Sequence, residues 1–188
     1  MEDKIIKFAL ETVLIFSIFL GPIYYMIAFF ENLIPEYSGL WQLNSINIST
    51  MTTFGFLTFA LCLVLGGRYI DKLSDKWIVI GLLVFAGFDL AMLAISIDFW
   101  FYYIFVLING AVIGLSIPAV LGFLYRDLPN FLRKYYIPLT LVIVFIAFLI
   151  LGNYLLNIIP WRTIFIFTGF ANFVIADVFV IFFFKDNR

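Results

Sequence analysis

Along the chain, long apolar runs alternate with short polar breaks. The runs lie at Phe8–Phe30, Ile48–Leu65, Ile78–Ile97, Phe101–Leu124, Tyr136–Asn157 and Arg162–Phe184. A helix rises about 1.5 Å per residue, so about 20 apolar residues cover the hydrocarbon core of a bilayer. Barrel strands would instead read as segments of about ten residues with strict alternation, and these runs are unbroken. A water-soluble helical bundle would need a polar face on each helix, which the runs lack. The expected fold is an all-α integral membrane protein with six transmembrane helices.

The polar breaks orient it. Lys and Arg close to the ends of spans favour the cytoplasmic side. With the N-terminus inside, Lys4, Lys7, Arg68, Lys72, Lys76, Arg126, Arg133, Lys134, Lys185 and Arg188 all fall on that side, and only Arg162 falls outside. The expected outer segment Glu31–Asn47 carries Glu31 and Glu36 and no basic residue. Both termini are thus expected in the cytoplasm. The first run follows Lys4 and Lys7 as a secretory signal would, but it lacks a small-residue cleavage pattern, so a retained helix is expected.

Composition narrows the chemistry. Of 188 residues, 65% are hydrophobic and 12% charged, and the net charge of -1 is segregated by side, leaving no basic patch for nucleic acid. There is no His, and the single cysteine, Cys62, permits no disulfide within the chain. No metal ligand set, cofactor motif or nucleophile and base pair is present, so a non-enzymatic role in the bilayer is expected.

The break between the second and third runs reads GGRYIDKLSDKW, Gly66–Trp77, with Gly66 and Gly67 expected to end one helix and Trp77 to begin the next. Its Gly67, Asp71, Lys72 and Lys76 resemble the loop signature of the major facilitator superfamily of transporters, with Ser74 in place of a second Gly and Asp75 in place of one basic residue. WRTIF, Trp161–Phe165, is similar to the family's opening of its sixth span. The resemblance covers the chain as the amino-terminal six-helix half of that fold. It implies two inverted three-helix repeats, about 8–97 and 101–184. It also implies that Asp71 takes part in cytoplasmic contacts that gate alternating access. A positive-inside loop with a turn glycine explains Arg68, Lys72 and Lys76 equally well.

In the family the first and fourth helices line the substrate cavity. Here they contain Pro22 and Pro118, expected to kink them. Candidate cavity-lining residues are Ser17, Tyr24 and Tyr25 on the first span and Tyr102, Asn109 and Ser116, seven residues apart, on the fourth. Gly110, Gly114, Pro118 and Gly122 recur every four residues and make another side of the fourth span narrow. The second span carries a small-residue seam of Gly55, Thr58, Cys62 and Gly66. Gly55, Thr58 and Cys62 are candidates for the contact between halves, which the resemblance puts at the second and fifth helices. Packing inside the same bundle is the other reading.

Asp89 lies near the middle of the third span and Asp177 in the sixth. A charged Asp at the bilayer centre costs about 2.5 to 3.5 kcal/mol, so Asp89 should face the interior and find donors or a proton. It is a candidate proton-coupling group, or a neutral structural one. The family's usual Arg four residues before a Gly of the fourth span is Val106 here, and Leu141–Leu151 lacks the antiporter Gly-Pro pair, so symport, antiport and uniport stay unassigned.

After the sixth run only KDNR follows, without a linker to a second half. The expected role is a half-size transporter in a prokaryotic cell membrane. It would move a small solute by alternating access, paired with a second copy or another six-helix half, unless the chain is itself one half of a longer protein. The other class of role is a membrane interaction or scaffold subunit of the same fold without transport.

Overall fold

The computed structural model describes residues 34–73, 75–127 and 157–184, with isolated positions from 135 to 155. They form α1 (Ile34–Trp41), α2 (Ser45–Arg68), α3 (Ile70–Leu73), α4 (Lys76–Ile95), α5 (Phe99–Asp127) and α6 (Trp161–Phe184), with no strand among the described residues. The expected first and fifth spans lie outside the described residues. The expected second, third, fourth and sixth spans are α2, α4, α5 and α6. All four are long and apolar enough to cross a membrane, which makes this a multi-pass membrane protein by length and composition.

Side-chain caps set three of the helix starts, two to three residues ahead of the apolar runs. Asn44 Oδ1 accepts from the Asn47 N–H (2.8 Å) before α2, and Asp75 Oδ1 from the Trp77 N–H (2.9 Å) before α4. Asp98 Oδ1 accepts from the Phe101 N–H (2.8 Å) at the start of α5. Each satisfies a donor that the first helical turn leaves open. The α2 end differs from the expected stop at Gly66 and Gly67. The helix runs through both to Arg68, and the Tyr69 N–H closes it on Leu65 O (3.1 Å). Gly66 is a packing residue, not a terminus: a Cβ there would lie 2.5 Å from the Pro118 ring.

Along most of α2 the packing face is small. Its buried side presents Gly55 and Gly66, with Cys62 half-buried beside them and with Ile48 and Met51 near the helix start, whereas Phe54, Leu57, Leu61, Val64 and Leu65 point outward. Large apolar groups outside and small ones inside suit a lipid solvent, where no hydrophobic force drives helices together and backbone proximity must do so.

Two close helix pairs result. In the first, α2 lies against α5: a Cβ on Gly110 would sit 2.5 Å from Gly55 O, and one on Gly114 2.5 Å from Phe59 O and 2.8 Å from Cys62 Cβ. Contacts advance along both sequences together, so α2 and α5 are parallel. The second pair is α4 and α6, which meet at Gly87 and Gly169, each of whose added Cβ would lie 2.7 Å from the other's carbonyl oxygen. Gly87 also faces Asn172 and Gly169 faces Leu90 and Ala91, so this pair is antiparallel. The pairs join where α4 packs on α5, and α3 packs against α5 as well.

One core unites the four long helices near the α4–α5 loop: Met51 of α2, Leu90 and Leu93 of α4, Tyr102 and Val106 of α5, and Trp161, Ile164 and Phe165 of α6. Tyr102 stacks between Trp41 (ring centroids 5.1 Å apart) and Trp161 (6.2 Å, edge-on). The Trp41 indole N–H donates to Ile97 O (3.1 Å), and the Arg162 guanidinium donates to Ser96 O (3.1 Å). Thus α1 and the start of α6 are both tied to the α4–α5 loop.

Replacing Gly110 or Gly114 with Ala should cost about 1 to 3 kcal/mol of overpacking. Gly81→Ala, where a Cβ meets nothing within 4 Å, should be neutral or slightly stabilising. Thermal unfolding of the three variants in one detergent checks this, and equal midpoints for all three would contradict the packing described.

Candidate functional site: a buried polar pair between α4 and α5

A carboxylate and a carboxamide meet where the two helix pairs join. Asp89 of α4 and Asn109 of α5 are 0% and 1% exposed. The Asn109 Nδ2 donates to Asp89 Oδ2 at 2.5 Å. Asp89 Oδ1 and Asn109 Oδ1 are buried and have no hydrogen-bond partner. A third buried polar side chain, Asn172 of α6, is 0% exposed with neither amide atom bonded, and its Cβ side faces Gly87.

Local sequence explains this placement. Gly87 turns its face of α4 to α6, and Asp89, two residues on, points instead to α5. On α5, Asn109 adjoins Gly110, whose contact with Gly55 fixes the rotation of the helix. Asn109 is thereby turned from α2 toward α4.

The expected fourth-span stripe of Tyr102, Asn109 and Ser116 is buried throughout. Tyr102 is wedged among aromatic rings, Asn109 is spent on Asp89, and the Ser116 hydroxyl donates to Val112 O (2.6 Å) on its own helix. The first span, expected to share a cavity with this stripe, lies outside the described residues, and with it Ser17, Pro22, Tyr24 and Tyr25.

The small seam of α2 is also taken up internally. Gly55 faces Val106, Cys62 faces Gly114, and Thr58 is half-buried with its hydroxyl donating to Phe54 O (2.7 Å). Pro118 sits inside the continuous α5, its ring against Gly66.

In the loop, Gly67, Asp71 and Lys72 are exposed, Asp71 and Lys72 on α3, and Lys76 is half-buried as the first residue of α4. Asp75 caps α4, accepting from the Trp77 N–H. Asp177 is exposed on α6, apart from the Asp89 pair. The described residues contain no group of three or more His, Cys, Asp or Glu suited to a metal ion.

Sequence reasoning missed Asn172, although the rule that singled out Asp89 applies to any polar residue within an apolar run. It also missed Trp41 and Ser96, which work only through contacts far along the chain. No family model, no curated protein and no solved structure matches the chain.

Asn109→Leu strips the one hydrogen bond Asp89 receives and should cost more than about 1 to 3 kcal/mol, because the group left unpaired is buried and ionisable. The double variant Asp89→Leu/Asn109→Leu should be more stable than Asn109→Leu alone. Equilibrium unfolding of both single variants and the double variant measures the coupling, and strict additivity would show the two side chains to be independent.

Proposed function

We propose that this chain is a six-helix half of a facilitator-type secondary transporter, a homodimer moving a small solute by alternating access. The observation that carries the reading is the reciprocal contact of Gly87 and Gly169. If residues 8–97 and 101–184 are inverted repeats, the third and sixth spans are equivalent helices related by an axis in the membrane plane. Equivalent helices that touch across such an axis must do so through matching points, each giving the other the contact it receives. Gly87-Phe88 and Gly169-Phe170 are also alike in sequence, on antiparallel helices that both begin with a Trp in their first two residues.

Chain direction lends further support. The start of α6 is tied to the α4–α5 loop, whereas α5 runs from that loop to Asp127 at the far end, about 40 Å away at 1.5 Å per residue. Asp127 and Trp161 therefore stand at opposite ends of the bundle. A fifth span within residues 128–160, a first span before α1 and two cytoplasmic termini are parts of the proposal. So is a prokaryotic cell membrane as its location.

In this reading the solute path lies between two such units, and the burial of Tyr102, Asn109 and Ser116 among the described helices supports that placement. The same burial favours a second reading, in which the bundle is a membrane scaffold subunit that does not transport. Alternating access separates the two. In the first reading Asp71, exposed on α3, holds a contact made in only one state, and its loss shifts the population. Asp71→Asn should then change labelling of single cysteines placed beside α3 in lipid vesicles, without reducing insertion. Labelling identical in wild type and variant, in every solute and pH condition, would favour the scaffold.

A further inference from the structure

We propose that Asp89 and Asn109 form a proton-binding site, in which one proton on Asp89 Oδ1 is shared with Asn109 Oδ1. The inference concerns this chain whether or not it transports a solute.

The donor and acceptor inventory drives it. An ionised carboxylate only accepts, and a carboxamide offers an oxygen that accepts and a nitrogen that donates. Here the nitrogen is used, donating to Asp89 Oδ2, and each group keeps one unsatisfied oxygen in a water-poor interior. Two acceptors cannot satisfy each other. Two planar groups already joined by one N–H···O contact need a single hydrogen between their remaining oxygens to close a ring of two hydrogen bonds. A proton taken up from solvent onto Asp89 Oδ1 gives an O–H that donates to Asn109 Oδ1. No other bond forms or breaks, and the pair becomes neutral.

The surroundings favour this occupant over a metal cation. Hard cations take about six or more oxygen ligands, and the pair offers two free oxygens. Among the described residues no countercharge faces Asp89 from α5 or α6. The charged residues of α5 are Arg126 and Asp127 at its far end, and those of α6 are Arg162 in its first turn and the exposed Asp177. On α4 itself the only other charge is Lys76 at the first position. The phenols of α5, Tyr102, Tyr103 and Tyr125, lie seven, six and sixteen residues from Asn109. Asn172 is turned to Gly87 and stands outside the pair.

The test is infrared spectroscopy of the full chain in lipid at neutral pH, in H2O and D2O. The expected result is a protonated-carboxyl C=O band that shifts in D2O and is lost in Asp89→Asn. Asn109→Leu, which removes the accepting oxygen, should move the band to higher frequency. If Asp89→Asn fails to insert, Asp89→Glu serves in its place, since it keeps the acid and alters its reach and should shift the band. Absence of any such band in the wild type would overturn the proposal, leaving a carboxylate with a bridging water or sodium ion. A band indifferent to both Asp89 and Asn109 would overturn it equally.

Discussion

In a lipid solvent the apolar side chains of a helix gain little by leaving the surface, so helices are held where backbones come close enough for dispersion and weak carbonyl contacts to accumulate. This bundle depends on that closeness at Gly55, Gly66, Gly110 and Gly114 on one side and at Gly87 and Gly169 on the other. Each contact sets a carbonyl, a ring or, at Gly55, the Val106 side chain where a methyl group would stand, which restricts the rotation of each helix. The other placements follow from it. Gly110 against Gly55 turns Asn109 toward α4, and Gly87 against Gly169 leaves Asp89 free to face α5.

Polar groups then act at two levels. At helix starts, Asn44, Asp75 and Asp98 close the first turns, where the chain emerges from the apolar runs. Within the bundle the side-chain hydrogen bond from Asn109 to Asp89 joins the two glycine-packed pairs. The bilayer leaves that bond no water to compete with it, which makes it specific as well as stabilising. At the α4–α5 loop, Trp41 and Arg162 reach the Ile97 and Ser96 carbonyls that a helix end leaves open.

Much of this was legible in the sequence, for definite reasons. Run length marked α2, α4, α5 and α6, because about 20 apolar residues have one economical conformation in a membrane. The every-four spacing of Gly110, Gly114 and Pro118 marked a narrow face, and Asp89 stood out as a charge that must be buried. What spacing does not carry is the partner. It did not say that the α2 seam would meet α5 of the same chain, or that Asn109 would turn to Asp89 instead of a cavity. α1 was invisible because its eight residues are too few for a span and are anchored by Trp41 to a carbonyl 56 residues away. Gly87 and Gly169 were invisible singly, since a lone glycine in an apolar run becomes informative only when its counterpart is known.

The same architecture frames the functional reading. The proposed transport puts the solute path between two such units, since the described helices pack closely around Tyr102, Asn109 and Ser116. The most direct measurement is the mass of the intact protein in a mild detergent or native lipid disc, with bound lipid and detergent subtracted. The account predicts a dimer of the 21.7 kDa chain. A strict monomer under conditions that preserve the fold would contradict it.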